Sequence, residues 1–335
     1  MIVLVTGGCG FIGHHVVRDL VSRGHGVHVL DVGDRPAINW SEVESLVGPD
    51  HVHRGDVRSW RDVETILRDH PIDLVLHLAA QSHVDRSVRD PSGTVDTNVV
   101  GTQVVSSACA RHGVPLLYCS TDEVYGDAMD TGSMVLHTED SPLHPSSPYS
   151  AGKAGGELVV QAAGRTHGLR WAITRGTNAW GPGQYPEKLV PIVVQSIRDG
   201  TPVPLHGGGD QIRQWVAVEE FAEALVVTGE ALADDHPQVV GRVFNIAGPV
   251  LVSVRDLTEA IATSMGVGDP SSAWETVADR PGQDRAYCVS GDRLATVLGV
   301  RPERSILDPV EINQLVEAYP MTGITVDAAD YGVAV

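Results

Sequence analysis

Ile2-Val3-Leu4-Val5-Thr6-Gly7-Gly8-Cys9-Gly10-Phe11-Ile12-Gly13 opens with a short, β-branched apolar run that ends on glycines and leads directly into a helical pattern. Such a run reads as a buried strand, the glycines as a tight turn, and Phe11–Arg23 as the first helix. Similar apolar runs recur outward from this start at Gly26–Asp31, His51–Asp56, Leu74–Ala79, Pro115–Thr121 and Trp171–Arg175, each separated by a segment of helical length. Strands that are apolar almost throughout need cover on both faces, which helices in parallel crossovers provide.

The expected fold class is therefore α/β, a doubly wound parallel Rossmann sheet with a smaller, interleaved C-terminal substrate-binding lobe. Near residue 178 the chemistry changes: Gly181-Pro182-Gly183-Gln184-Tyr185-Pro186 is loop-like, and the later chain is richer in Gly, Pro and Asp. The expected division is 1–177 for the sheet domain, 178–320 for the lobe and 321–335 for an irregular tail. Trp215–Val218 and Val243–Ala247 are expected as strands able to return to the main sheet.

Gly7, Gly10 and Gly13 give the spacing G-x-x-G-x-x-G between strand and helix. Glycine allows backbone to approach a pyrophosphate, and the helix N-terminus offers free N–H groups and a positive dipole end; Phe11 and Ile12 belong to the same turn. Asp31 ends the second predicted strand about 20 residues on, where a carboxylate accepts both ribose hydroxyls of NAD and repels a 2′-phosphate. Asp56 and Val57 follow the third strand, placed to meet the adenine.

Composition narrows the alternatives. The 335 residues are 42% hydrophobic, enough for a large core, and no apolar run approaches bilayer-spanning length. The first residues show no basic n-region or cleavage site, so a cytoplasmic protein is expected. Cys9, Cys109, Cys119 and Cys288 are scattered without Cys-x-x-Cys spacing, and the histidines are scattered too, so neither disulfides nor a metal site is expected. A formal net charge of −19 disfavours nucleic acid. An anionic small ligand must then be held by local cations and amides.

Ser120-Thr121-Asp122-Glu123-Val124-Tyr125-Gly126 and Tyr149-Ser150-Ala151-Gly152-Lys153 supply the chemistry. Tyr149 and Lys153 are one helical turn apart, and a tyrosine acting as a base near neutral pH needs such a cation. Thr121, at a strand end, is placed to hold the oxygen that Tyr149 deprotonates. The adjacent carboxylates of Asp122 and Glu123 suit chemistry that needs both an acid and a base.

With His77-Leu78-Ala79-Ala80 and Asn98 in Thr97-Asn98-Val99-Val100-Gly101-Thr102, this set resembles the extended short-chain dehydrogenase/reductase family. Within it, Ser82-His83-Val84-Asp85-Arg86-Ser87, the Thr121-Asp122-Glu123 run, Pro186-Glu187-Lys188-Leu189 and Asp279-Arg280-Pro281-Gly282-Gln283-Asp284-Arg285 are similar to the nucleoside-diphosphate-glucose 4,6-dehydratases, chiefly those acting on dTDP-glucose. The likeness covers roughly residues 1–300. It implies tightly held NAD, to which Ala79, Asn98, Tyr149 and Lys153 contribute, and a 4-keto-6-deoxy product. The implied route is oxidation at C4 with Tyr149 as base, loss of water across C5 and C6 with Glu123 as base and Asp122 as acid, and hydride return to C6.

The resemblance also implies Asn178 against the diphosphate and Glu187, Lys188, Arg213, Asn245 and Tyr287 in the substrate lobe. His83 is either a substrate contact or a packed loop histidine. It further implies a homodimer. The sequence departs from the pattern at Ala179-Trp180, Gln214 and Gln81, and beyond about Glu311. Two other readings are a nucleotide-sugar 4-epimerase or UDP-glucuronate-processing enzyme, against which Asp122-Glu123 speaks, and a non-catalytic NAD sensor, for which the catalytic groups are too complete.

Overall fold

The computed structural model describes residues 1–33, 40–129, 132–279 and 282–319. The expected tail, 321–335, lies outside the described residues, as do Arg280 and Pro281. The strands are β1 Ile2–Thr6, β2 Gly26–Asp31, β3 Val52–Arg54, β4 Leu74–His77, β5 Leu116–Thr121, β6 Trp171–Gly176, β7 Asn178–Trp180, β8 Val203–His206, β9 Ile212–Ala217, β10 Arg242–Ile246, β11 Val250–Ser253 and β12 Trp274–Val277. The helices are α1 Phe11–Ser22, α2 Trp40–Val47, α3 Trp60–Asp69, α4 Val84–Arg89, α5 Pro91–Val95, α6 Thr102–His112, α7 Pro148–His167, α8 Leu189–Asp199, α9 Val218–Ala233, α10 Val254–Ser264, α11 Asp292–Leu298 and α12 Pro309–Ala318.

Seven strands form one parallel sheet in the order β10-β6-β5-β4-β1-β2-β3, so the expected doubly wound architecture is present. Alternation along each strand feeds two cores. Val3, Val5, Val29 and Leu76 pack with Val16, Leu20, Phe221 and Leu225 of α1 and α9. Leu4, Leu30, Val75 and Tyr118 pack with Val63, Ile66, Val105 and Val160 of α3, α6 and α7. The strand order reverses between β1 and β4, and the crevice at the strands' carboxyl ends there is where such folds bind ligands.

The late strands divide. β10 adds to the outer edge of β6, in register from Arg242↔Ala172 to Ile246↔Gly176. The expected return of Trp215–Val218 needs correction: β9 pairs with β7 and β11 in a separate three-stranded sheet, and Val218 starts α9. The β6 edge is already taken by β10, while Trp215 and Ala217 are buried in the lobe core with Trp180, Val193 and Ile261. No helix among the described residues is long and apolar enough to cross a membrane.

Candidate active site

A cleft of about 430 Å³ runs along the carboxyl ends of β1, β2, β4 and β5 and under the lobe. Its floor at one end is the glycine turn. Gly7 has a φ of +71°, and a Cβ there would come within 2.8 Å of the Ala79 backbone; a Cβ at Gly13 would overlap the Gly7 carbonyl oxygen. Both positions therefore require glycine, and α1 can start directly beneath the cleft.

Asp31 is fixed at the end of β2 by backbone donors, Cys9 N to Oδ2 at 3.1 Å and Gly33 N to Oδ1 at 3.0 Å. Asp31, Asp56, Val57, Phe11, Ile12 and Gly10 line the same cleft. The cleft thus offers the amides of the glycine turn and a helix N-terminus, with the Asp31 carboxylate beyond, a donor set that fits a dinucleotide.

The wall after β4 is held from behind. Thr6 Oγ1 is 2.6 Å from His77 Nδ1, and His77 Nε2 is 3.1 Å from Thr102 Oγ1. Asn98, expected at the cofactor, is 1% exposed: its Oδ1 accepts from Gln81 N at 2.8 Å and its Nδ2 donates to Gln81 O at 3.0 Å. It acts through Gln81, whose own side chain accepts from His83 N at 2.7 Å. His83 packs at the start of α4, next to the Gln81 loop. It is buried, and its Nδ1 caps α4 by accepting from Arg86 N.

The reactive end is built on β5 and the first turn of α7. Ser147 caps α7 in a reciprocal pair with Ser150, and Pro148 occupies the first turn, so Tyr149 lies at a helix N-terminus whose dipole favours an oxyanion. Burial raises the Tyr149 phenol well above its ordinary value, against the opposing pull of the neighbouring Thr121 hydroxyl. Lys153 lies one turn along; its Nζ donates to the Cys119 carbonyl at 2.6 Å and sits 4.8 Å over the Tyr118 ring.

Asp122 and Glu123 start a helical turn immediately after β5. Asp122 Oδ1 accepts from the Thr121 hydroxyl at 3.2 Å, while its Oδ2 is buried with no protein partner. Burial and the Glu123 charge push Asp122 up to about 8. Burial raises Glu123 to about 7, against the opposing pull of Arg213 and Lys188. Near neutral pH the site therefore holds one carboxylic acid next to one carboxylate.

Thr121, Asp122, Glu123, Tyr149, Lys153, Asn178 and Lys188 all face the cleft. Lys188 Nζ is positioned by the Ser82 carbonyl at 3.1 Å. Arg213 and Tyr287 flank the carboxylates from the lobe side: the guanidinium lies 4.3 Å over the Tyr287 ring and donates to Asp284 O at 2.9 Å. Glu187 stands on the turn before α8 and does not line the cleft.

Asn245 needs correction as a substrate contact. It is fully buried, accepts from Tyr125 OH at 2.7 Å and donates to Ser290 O at 3.1 Å, so its amide is occupied within the protein. It belongs to a network beneath the acids, in which Arg175 donates to Tyr125 OH at 2.7 Å and pairs with Glu157 at 2.6 Å.

Of the departures, Trp180 is buried in the lobe core, and Gln214 bridges Gly248 O and Val289 N. Only Ala179 and Gln81 reach the cleft. Asp284, present in the sequence only as part of the Asp279–Arg285 run and given no role there, has a carboxyl raised by burial that accepts from Tyr287 OH at 2.7 Å. Tyr185, in the Gly-Pro loop, also lines the cleft. An acid two residues after a glycine in a polar loop carries no periodic signal that marks it.

The sequence profile of the NAD dependent epimerase/dehydratase family matches residues 3–247. A dTDP-glucose 4,6-dehydratase of Streptomyces antibioticus is 38% identical, over 92% of this chain and 90% of the relative. The Escherichia coli (strain K12) dTDP-glucose 4,6-dehydratase 1 is 35% identical, over 91% of this chain and 89% of its own length. Among solved structures, DesIV, a dTDP-glucose 4,6-dehydratase from Streptomyces venezuelae with NAD and TYD bound, superposes with a TM-score of 0.85 at 36% identity, covering 95% of this chain and 97% of DesIV. A Thermotoga maritima UDP-glucose 4-epimerase superposes almost as well, TM-score 0.84 at 27% identity, covering 95% of this chain and 98% of that one, so backbone similarity alone does not separate the two reactions.

Proposed function

The chain belongs to the NAD-dependent epimerase/dehydratase family, and from that premise we propose that it is a dTDP-glucose 4,6-dehydratase, an NAD-dependent lyase that forms a 4-keto-6-deoxy sugar. The carrying observation is the acid and carboxylate side by side at Asp122 and Glu123, both lining the cleft with Tyr149. An epimerase has no hydroxyl to expel and no use for the pair.

Bound NAD supplies a hydride acceptor that later returns the hydride; Gly7, Gly10, Gly13, Asp31, Asp56 and Val57 are the residues placed to hold it. Thr121 orients the sugar 4-hydroxyl by hydrogen bonding, and Tyr149 receives its proton once the α7 N-terminus and the Lys153 cation offset the burial that raises its phenol. Lys153, anchored on Cys119 O, keeps a positive charge at the same strand end. Once C4 is a ketone the C5 proton is acidic, and Glu123 removes it. Asp122, the more strongly protonated of the pair, donates through its unpartnered Oδ2 to the departing C6 hydroxyl. Arg213, Lys188 and Asn178 supply the cations and amide that a diphosphate needs. Tyr287 closes the lobe side.

The test is incubation with dTDP-glucose and, separately, UDP-glucose, followed by base and the absorbance of the enolised 4-keto-6-deoxy sugar. A strong signal with dTDP-glucose is expected. Silence with both, while NAD stays bound, would overturn the assignment.

The reading extends to a cytoplasmic homodimer. Val88, Val95, Val100 and Leu158 are exposed apolar residues on the α4–α7 side of the molecule, Leu158 at 58%, which favours helix-to-helix association there. The four cysteines are free thiols, as a reducing compartment would keep them. Light scattering at micromolar concentration should give twice the chain mass, and Leu158→Glu should give the monomer.

A further inference from the structure

Four histidines from three separate segments, His28, His51 with His53, and His70, meet at the outer edge of the main sheet, away from the catalytic cleft. His28 lies on β2 and His53 on β3; His53 pairs with Leu30, two residues beyond His28, so both imidazoles leave the same face of the sheet. His70 ends α3, which packs on that face through Val63, Ile66 and Leu67. His51 precedes β3, its ring 4.8 Å from that of His28.

We propose that His28, His53 and His70 form a binding site for one divalent transition-metal ion of the zinc type, with His51 or water completing the coordination. The three ligand nitrogens lie within 4.8 Å of one another, and His28 Nδ1 is 3.0 Å from His53 Nε2. Two imidazole nitrogens bound to one tetrahedral zinc stand about 3.3 Å apart, given Zn–N bonds of about 2.0–2.1 Å. The first pair is therefore nearly preset, and His70 has only to swing inward. For both facing nitrogens to ligate, the ring now donating the shared hydrogen bond moves its N–H to its other nitrogen, so no net proton is lost. An all-imidazole set suits zinc, copper or nickel better than calcium or magnesium. A cation here would clip β2, β3 and α3 together beneath Asp31 and Asp56.

The test uses tag-free, chelator-treated, NAD-saturated protein titrated with Zn²⁺ by calorimetry and with Co²⁺ by visible absorption. One saturable equivalent per chain is expected, with a rise in Tm by mass action. The doubly substituted His53→Gln/His70→Gln chain should lose that equivalent, and His167→Gln, at the exposed end of α7, should keep it. Absence of the equivalent, or its persistence in the double variant, would overturn the proposal. Should the double variant fail to fold, the unmodified chain decides. Co²⁺ must broaden the ring NMR signals of His28, His53 and His70, and broadening confined to other histidines would overturn the site.

Discussion

At the scale of single residues, the site rests on two neighbouring carboxyls given different protonation by their surroundings. Glu123, raised to about 7, must be ionised to act as base, and Asp122, raised to about 8, must be protonated to act as acid. Turnover should therefore follow a bell in pH, falling below about 7 as the base protonates and above about 8 as the acid ionises. The two limbs belong to the coupled pair. Glu123→Gln should leave C4 oxidation intact, visible as NADH absorbance, and lower dehydration by roughly 10²–10⁴-fold. Full dehydration by that variant would remove Glu123 as base. Tyr149→Phe, by contrast, should abolish the NADH signal itself.

At the scale of elements, the site depends on close approaches that only small side chains allow. Gly13→Ala would drive a methyl into the Gly7 carbonyl and force the turn away from α1; NAD affinity should fall at least tenfold, measured by calorimetry, with about 1–3 kcal/mol lost in stability. Much of the glycine in α7 serves the interior as well. Gly156 lets the helix sit directly on the Tyr118 hydroxyl, and Gly152 meets Asn98. The glycines of α7 therefore serve packing inside the subunit, while Ala151, Leu158 and Ala162 stay exposed on its outer face. Asn98→Ala should act through the Gln81 loop, raising the Kd for NAD, measured by calorimetry, more than it lowers kcat; an unchanged Kd would show that the loop holds itself.

At the scale of the whole molecule, Arg175 ties four elements together: β6, the turn after β5 through Tyr125, α7 through Glu157, and β10 through the Tyr125–Asn245 bond. Arg175→Met leaves Glu157 buried and unpaired, and a loss of about 3–5 kcal/mol in denaturant unfolding is expected. The acids act on stability in the other direction. Asp122 and Glu123 bind protons more tightly folded than unfolded, so between about pH 4 and 8 the folded chain carries the extra protons and stability falls as pH rises through that window. Asp122→Asn removes part of that slope, so at pH 8 its Tm should exceed that of the parent chain although it turns over poorly.

The parallel sheet, the glycine turn with Asp31 beyond it, and the Thr121, Asp122, Glu123, Tyr149 and Lys153 set were all legible in the sequence. Their signals are local, namely apolar runs, a fixed glycine spacing and the two short runs Thr121–Glu123 and Tyr149–Lys153, but their meeting in one cleft is shown only by the fold. Long-range questions were settled only by tertiary structure. Whether Asn245 faces the substrate and Asn98 the cofactor, or both brace the protein, depends on partners as distant as Tyr125 and Gln81, and β9 pairs outside the main sheet, whose β6 edge β10 occupies. Histidines that look scattered along the chain gather at one sheet edge because parallel strands bring equivalent positions together every crossover. Local spacing encodes what neighbouring residues can do, but burial and pairing between distant segments decide which of them remain free to do it.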